Sequence, residues 1–212
     1  MFLDSVEIGF EMYAKRAMFT SQSKVDRVGF LVPPPSHIIG VFPFIFSHPN
    51  VVPIPVRMDV LATPEKDFKF MINGRKTLKP TSGPTQLYLQ PIKNCHVRIF
   101  VRWLHREFDA QSLRKTQEQT YGGLRYLVED SQLPSQERDR VVKAGGKFGS
   151  LYTFSYLTDK QPVDFNFEEV LPVYRKRDGS FLHHLVTIKN GTWRASDSFI
   201  NTLAHEIGAN NA

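Results

Sequence analysis

An α+β fold built on an antiparallel sheet is what this sequence predicts, and three observations carry the prediction. Val97, Ile99, Val101 and Trp103 alternate with His96, Arg98, Phe100 and Arg102, the period of two of a half-buried strand. Asn73-Gly74, Asp178-Gly179 and Asn190-Gly191 each stand between β-prone runs, the chemistry of tight hairpin turns. Helix signals are few and short, so helices decorate the sheet and do not form a bundle.

Taken in order, "FLDSVEIGFEMYA" (Phe2 to Ala14) sets Val6, Ile8 and Phe10 on one face and reads as the first strand, and "SQSKVDR" (Ser21 to Arg27) reads as a polar, basic loop. A helix follows from Ser36, with Pro35 ahead of that N-cap. Its apolar residues Ile38, Ile39, Phe42 and Ile45 are expected to lie on the sheet, with Gly40 permitting close approach and Pro43 kinking or breaking the helix. "VVPIPVRMDVL" (Val51 to Leu61) is a strand that Pro53 and Pro55 assign to a sheet edge or a strand start. "KDFKFMINGRKTLKP" (Lys66 to Pro80) is expected to turn at Asn73-Gly74.

"PSQERDRVVKAGG" (Pro134 to Gly146) reads as a short helix ending at a double glycine. The runs "LPVYRKR", "FLHHLVTIK" and "TWRA" are strands, and "SDSFINTLAHEIG" is a closing helix capped by Ser196 or Ser198. Strand, helix, strand, hairpin, strand, helix and then β-hairpins fit a ferredoxin-like βαββαβ core with insertions.

Composition bounds the function. The chain has 212 residues, and 27 Lys+Arg against 21 Asp+Glu give a formal net charge of +6, which favours a polyanionic partner, most simply nucleic acid. Cys95 is the single cysteine, which excludes an internal disulfide and a multi-cysteine zinc site and fits a reducing cytoplasm. With no secretory leader pattern and no long apolar run, a soluble cytoplasmic protein is expected, without membrane contact.

The chemistry-bearing residues point away from metals and cofactors. His183 and His184 are adjacent, so on a strand they face opposite sides, and "HEIG" (His205 to Gly208) lacks a second histidine. No serine sits in a Gly-x-Ser-x-Gly elbow, and Glu168-Glu169 read as solvated neighbours. "KAGGKFGS" (Lys143 to Ser150) is not a nucleotide P-loop, but its glycines open the backbone to phosphate while Lys143 and Lys147 add charge; an ordinary helix C-cap is the equal alternative. Lys66, Lys69, Arg75, Lys76 and Lys79 make the hairpin arm basic, and Arg98 and Arg102 flank Phe100 on one strand face. Cations for phosphates beside an aromatic for bases suit single-stranded RNA, whereas a solvated sheet face with Phe100 covered is the structural alternative.

Five segments in order, "FEMYAKRAMFTSQS", "FLVPPPSHIIGVFPFIF", "VRMDVL", "QLYLQPIKNCHVRIFVRW" and "VVKAGGKFG", resemble the CRISPR-associated RAMP proteins of the Cas-five family, and most of all its type I-C branch. The likeness spans roughly residues 6 to 155. It implies an RRM-like ferredoxin core over 1–155, with a protruding β-hairpin thumb at about 62–92; the tail over 156–212 departs from that branch, and its residues read as β-hairpins and a short helix packed on the same core. The implied role is to hold the 5′ handle of a CRISPR RNA and to meet backbone RAMP subunits and a large or small subunit, with target DNA reached only indirectly. By position, the implied RNA contacts are Phe19, Thr20, Lys24, Arg27, Ser36, His37, Lys69, Arg75, Lys76, Lys143 and Lys147, beside Arg98 and Arg102 from the strand pattern.

Cutting members of the type I-C branch resemble one another in a tyrosine near the end of the first helix and a mid-chain Lys-His pair. Here that position reads Phe46, and no Lys-His pair occurs anywhere. General acid–base cleavage of RNA needs a titratable group within hydrogen-bond reach of the 2′-OH or the leaving oxygen. The expectation is therefore a non-catalytic binder without cofactor, and the short chain suits a compact system such as type IV or a minimal type I. The alternatives are a metal-independent endoribonuclease using Tyr121, Lys115 and His105, and a protein–protein scaffold without RNA contact.

Overall fold

The computed structural model describes residues 2–5, 7–19, 26–45, 51–68, 70–74, 85–105, 153–155 and 157–210. They form β1 (Phe2–Leu3), β2 (Ile8–Ala17), β3 (Asp26–Val28), α1 (Pro35–Ile45), β4 (Val51–Val60), β5 (Glu65–Lys66), β6 (Phe70–Gly74) and β7 (Thr85–Gln90). There follow β8 (Ile92–His105), β9 (Thr153–Ser155), β10 (Phe167–Arg175), β11 (Phe181–Ile188), β12 (Thr192–Arg194) and α2 (Asp197–Asn210). The fold is α+β.

β8 is the spine of the central sheet, ordered β12-β4-β8-β2-β9, with β1 and β5 paired to its two ends. Every pairing in this sheet is antiparallel. The first strand starts at Phe2 as expected but is divided in two and runs on to Ala17: β1 and β2 both pair with β8, offset around Asp4, whose carbonyl accepts Arg102 Nε at 2.6 Å. β4 carries its prolines where β8 alone pairs it, because β12 covers only Arg57 to Asp59. A proline N–H is not missed on an open edge.

The alternation along β8 sorts its side chains as expected. Cys95, Val97, Ile99, Val101 and Trp103 are buried, with Phe10 and Met12 from β2 and Met58 and Val60 from β4. α1 seals this face through Ile38, Val41 and Phe42, the last meeting Phe10 at 5.9 Å and Trp103 edge-on at 5.8 Å. Leu171 and Val173 of β10, Val186 and Ile188 of β11, and Phe199, Leu203 and Ile207 of α2 join the same core. Burial at Cys95 pushes its thiol up to about 12, so it is an inert core residue.

The C-terminal turns form where expected. Asn190 and Gly191 both have positive φ, 49° and 75°, and Lys189 and Thr192 exchange two backbone hydrogen bonds at 3.0 Å across them. Gly179 takes φ 84° in the β10–β11 connection. Ser196 is the cap of α2: its Oγ accepts Phe199 N–H at 3.2 Å.

Four expectations about α1 and the hairpin are corrected, and one about the loop before α1. α1 begins at Pro35, with the Pro34 carbonyl accepting His37 N–H at 2.9 Å and Ile38 N–H at 3.2 Å. Pro34 is thus the cap residue and Pro35, which has no N–H to waste, is first in the helix. The helix continues past Pro43 to Ile45, and Gly40 is exposed, with nothing within 4 Å of a built Cβ, so it serves no close approach. Asn73 and Gly74 do not turn: they pair with Gln86 and Thr85 in the β6–β7 ladder. Extended pairing with the β-prone TQLYLQ run overrides the local Asn-Gly preference. The segment read as a loop contributes β3, which pairs in parallel with β7.

Candidate nucleic-acid interface

One end of the central sheet gathers the last residues of β2, the first of β8, the root of the β6–β7 hairpin and the start of α1. Phe19 follows β2; its carbonyl accepts Phe30 N–H at 2.9 Å, and its ring meets the His37 ring edge-on at 4.9 Å. The structure thus brings together two residues, Phe19 and His37, that lie eighteen positions apart in the chain. Phe19 is fully buried, while Ser36 and His37 are half-buried in the first turn of α1. That turn holds no acidic side chain of its own, so the helix supplies no carboxylate to the positive end of its dipole.

The hairpin root is pinned to the same end. Asp67 N–H donates to Pro91 O at 2.7 Å, and Gln90 Nε2 donates to Asp67 O at 3.2 Å. The Asp67 carboxylate is buried, yet it holds two cations, Arg16 Nε at 2.6 Å and Lys93 Nζ at 3.1 Å. Burial by itself raises the Asp67 pKa, but the Phe68 N–H, Lys93 and Arg16 outweigh it and hold the carboxyl below its ordinary range. Arg16 and Lys93 on Asp67, with Lys15 and Lys66 exposed beside them and one further acid, the exposed Glu65 opposite Lys93 in the β5–β8 ladder, leave the root net positive.

The polar sheet face is different from the exposed basic face expected from alternation. Arg98 is buried, and its guanidinium donates to Glu11 Oε1 at 2.9 Å and to the carbonyls of Thr158 and Lys160 at 2.6 and 2.9 Å. Glu11 also accepts from Thr158 N–H and hydroxyl, and its second oxygen lies 2.9 Å from His96 Nε2. Burial raises the Glu11 pKa, but these hydrogen bonds more than offset it and bring the carboxyl down to about 2. Across the next strand pair, Asp59 takes a bidentate bond from Arg57, at 2.8 and 2.7 Å, and a hydroxyl bond from Thr192. Phe100 lies over Gly9, where a Cβ would sit 2.7 Å from the ring, and the Arg57 guanidinium stands 4.8 Å from its centroid. Arg102 is half-buried on the Asp4 carbonyl. Alternation placed His96, Arg98, Phe100 and Arg102 on one face correctly; it carried no information that residues 157–163 would close over it.

Arg27 lies in β3 opposite Leu89. Thr20, Lys24, Lys69, Arg75, Lys76, Lys143 and Lys147 lie outside the described residues, as do Phe46, Lys115, Tyr121 and the 134–146 helix. His105, the remaining member of the cleaving trio considered above, is buried beside Phe2. Among the described residues no group of three or more metal-ligating side chains converges, and no helix is long and apolar enough to cross a membrane. Arg16, Asp67, Phe68 and Lys93 were missed from the sequence, although an aromatic between lysines in "KDFKF" was a readable signal.

The fold has solved counterparts. A CRISPR-associated protein of known structure superposes over 92% of this chain and 94% of its own, with a TM-score of 0.58 at 12% sequence identity. The chain shares its fold with a CRISPR-associated protein. The functionally uncharacterized protein SMU1763c from Streptococcus mutans matches over 91% of this chain and 93% of its own, with a TM-score of 0.54 at 9% identity. At such identities the likeness is one of fold. No family model matches the chain, and no curated protein matches it.

Proposed function

We propose that this chain is a non-catalytic RNA-holding subunit of a CRISPR effector ribonucleoprotein, of the Cas-five kind within the RAMP superfamily. The observation that carries the reading is the meeting, at one sheet end, of the net-positive hairpin root and the acid-free start of α1, where Ser36 and His37 are half-buried; Phe19, expected to touch RNA, is fully buried against His37 and supports that end from within the core. A helix start offers N–H groups to phosphate, and cations at the hairpin root extend the same path. The order β9-β2-β8-β4, with α1 joining β2 to β4, supports a ferredoxin-like core. The β6–β7 hairpin is inserted between its second and third core strands, where a thumb belongs in this reading.

In this proposal the bound RNA is the 5′ handle, Arg98 and Arg102 brace the sheet instead of touching RNA, and neighbouring effector subunits complete the grip in the cytoplasm. Phe46, without a hydroxyl, supports holding over cutting. Binding of synthetic repeat RNA to the full chain, titrated against salt, tests the reading. The apparent affinity should fall steeply as salt rises, because each neutralised phosphate releases counterions. A flat response, or precursor RNA cut in EDTA by the purified protein, sinks it.

A further inference from the structure

Among the described residues, Phe68 is the most exposed large apolar side chain, at 81%. Its backbone is nonetheless held: Phe68 N–H donates to Asp67 Oδ1 at 2.8 Å, and Asp67 is itself tied to Pro91 and Gln90. Lys93 Nζ stands 5.0 Å from the ring centroid while remaining paired with Asp67. Arg16 binds the same carboxylate with its own side chain 64% exposed.

Beyond the Lys93 contact, a phenyl ring so far in water gains little from intramolecular packing. The same arrangement is well suited to an unpaired base, since the held backbone presents an open ring face on which a second ring can stack. The ammonium beside the ring matches a phosphate, and the buried Asp67 anchors both cations in place without neutralising them together. The structure assigns, we infer, a nucleotide site to the hairpin root: one unpaired base of single-stranded RNA stacks on Phe68, and Lys93 and Arg16 take the adjoining phosphates. This rests on the RNA-holding reading above and names one place where the strand is gripped. The stretch from Arg16 to Phe19 then links this site to the His37 contact along three residues of chain.

The test uses the full chain with Phe68→Ala and Phe68→Trp, repeat RNA, and the same RNA with abasic positions stepped one at a time through the handle. The melting curve of Phe68→Ala should match the parent, because the ring packs on little. Its RNA affinity should drop by about 5- to 150-fold, the range of one lost base–aromatic stack. The salt slope should not change, since no charge is removed. Phe68→Trp should bind like the parent, and one abasic position should weaken the parent but not Phe68→Ala. If the parent binds RNA with a steep salt slope and Phe68→Ala binds equally well, the stacking site is overturned and the RNA-holding reading stands. A parent that binds no RNA overturns both.

Discussion

Glu11 and Arg98 face one another across β2 and β8, with Arg98 Nη2 2.9 Å from Glu11 Oε1, and both are closed from solvent by the Thr158–Lys160 backbone. That pair ties the sheet to the C-terminal segment, because the same carboxylate oxygen receives Thr158 N–H and hydroxyl. Removing one partner leaves the other charge buried. Arg98→Met should therefore cost about 3–5 kcal/mol, and Glu11→Leu a similar amount, whereas the double variant should cost clearly less than their sum. Urea denaturation of the four proteins measures this; strict additivity would count against a coupled pair.

Glu11 also makes stability depend on pH in one direction. Its carboxyl is held at about 2 in the folded protein against an ordinary 4.5. The folded state therefore binds this proton less readily than the unfolded chain. The stabilisation is complete above 4.5 and drains away as the pH falls toward about 2. Asp67 and Asp178, both lowered, act with the same sign. Stability followed from neutral to acidic pH should fall less steeply in Glu11→Gln than in the parent, and parallel curves would remove Glu11 as a source.

Two glycines should respond oppositely to alanine. Gly40 is exposed inside α1 with open space around its Cβ position, so Gly40→Ala should stabilise by about 0.5–1 kcal/mol. Gly191 has φ 75°, and a Cβ there would collide with Val163 O, part of the chain crossing the sheet. Gly191→Ala should destabilise by at least about 1–2 kcal/mol from the backbone conformation alone. Thermal melts of both variants decide, and a shift of the same sign in both would contradict the geometry.

An acid at the start of α1 should separate folding from binding. Ser36→Glu adds a negative charge to a first turn that has none, which should stabilise the helix by about 0.3–1 kcal/mol. The same charge should repel phosphate and weaken RNA binding, most strongly at low salt. Melting temperature and repeat-RNA titration are measured on the one variant. Unchanged RNA affinity at low salt would detach the helix start from the RNA path.

How far the sequence could be read differed by the range of the forces involved. The β8 alternation, the Asn190-Gly191 turn and the cap at Ser196, one of the two serines read for it, each depend on neighbours a few residues away, and each formed within what was read. Asn73-Gly74 carries the same turn chemistry, yet β7 pairs straight through it, because a ladder with a distant strand outweighs one dipeptide's preference. Arg98 looked free for phosphate because alternation assigns a face but cannot tell whether that face stays open. Asp67 and Phe68 were legible only as letters in a basic run; their pinning depends on Pro91 and Gln90, more than twenty residues later.

By itself, then, the chain's amino-acid order determined the periodicities: which residues of β8 enter the core, where the C-terminal hairpin turns, and that α2 starts after Ser196. Those follow from backbone geometry and side-chain polarity over a single turn or strand. Only the tertiary structure decided the fate of the charges. It buried Arg98 with Glu11, drew Arg16 and Lys93 onto Asp67, and left the Phe68 ring in solvent. A charge is committed or available according to what the rest of the chain brings within hydrogen-bond reach, and that distance is set by packing.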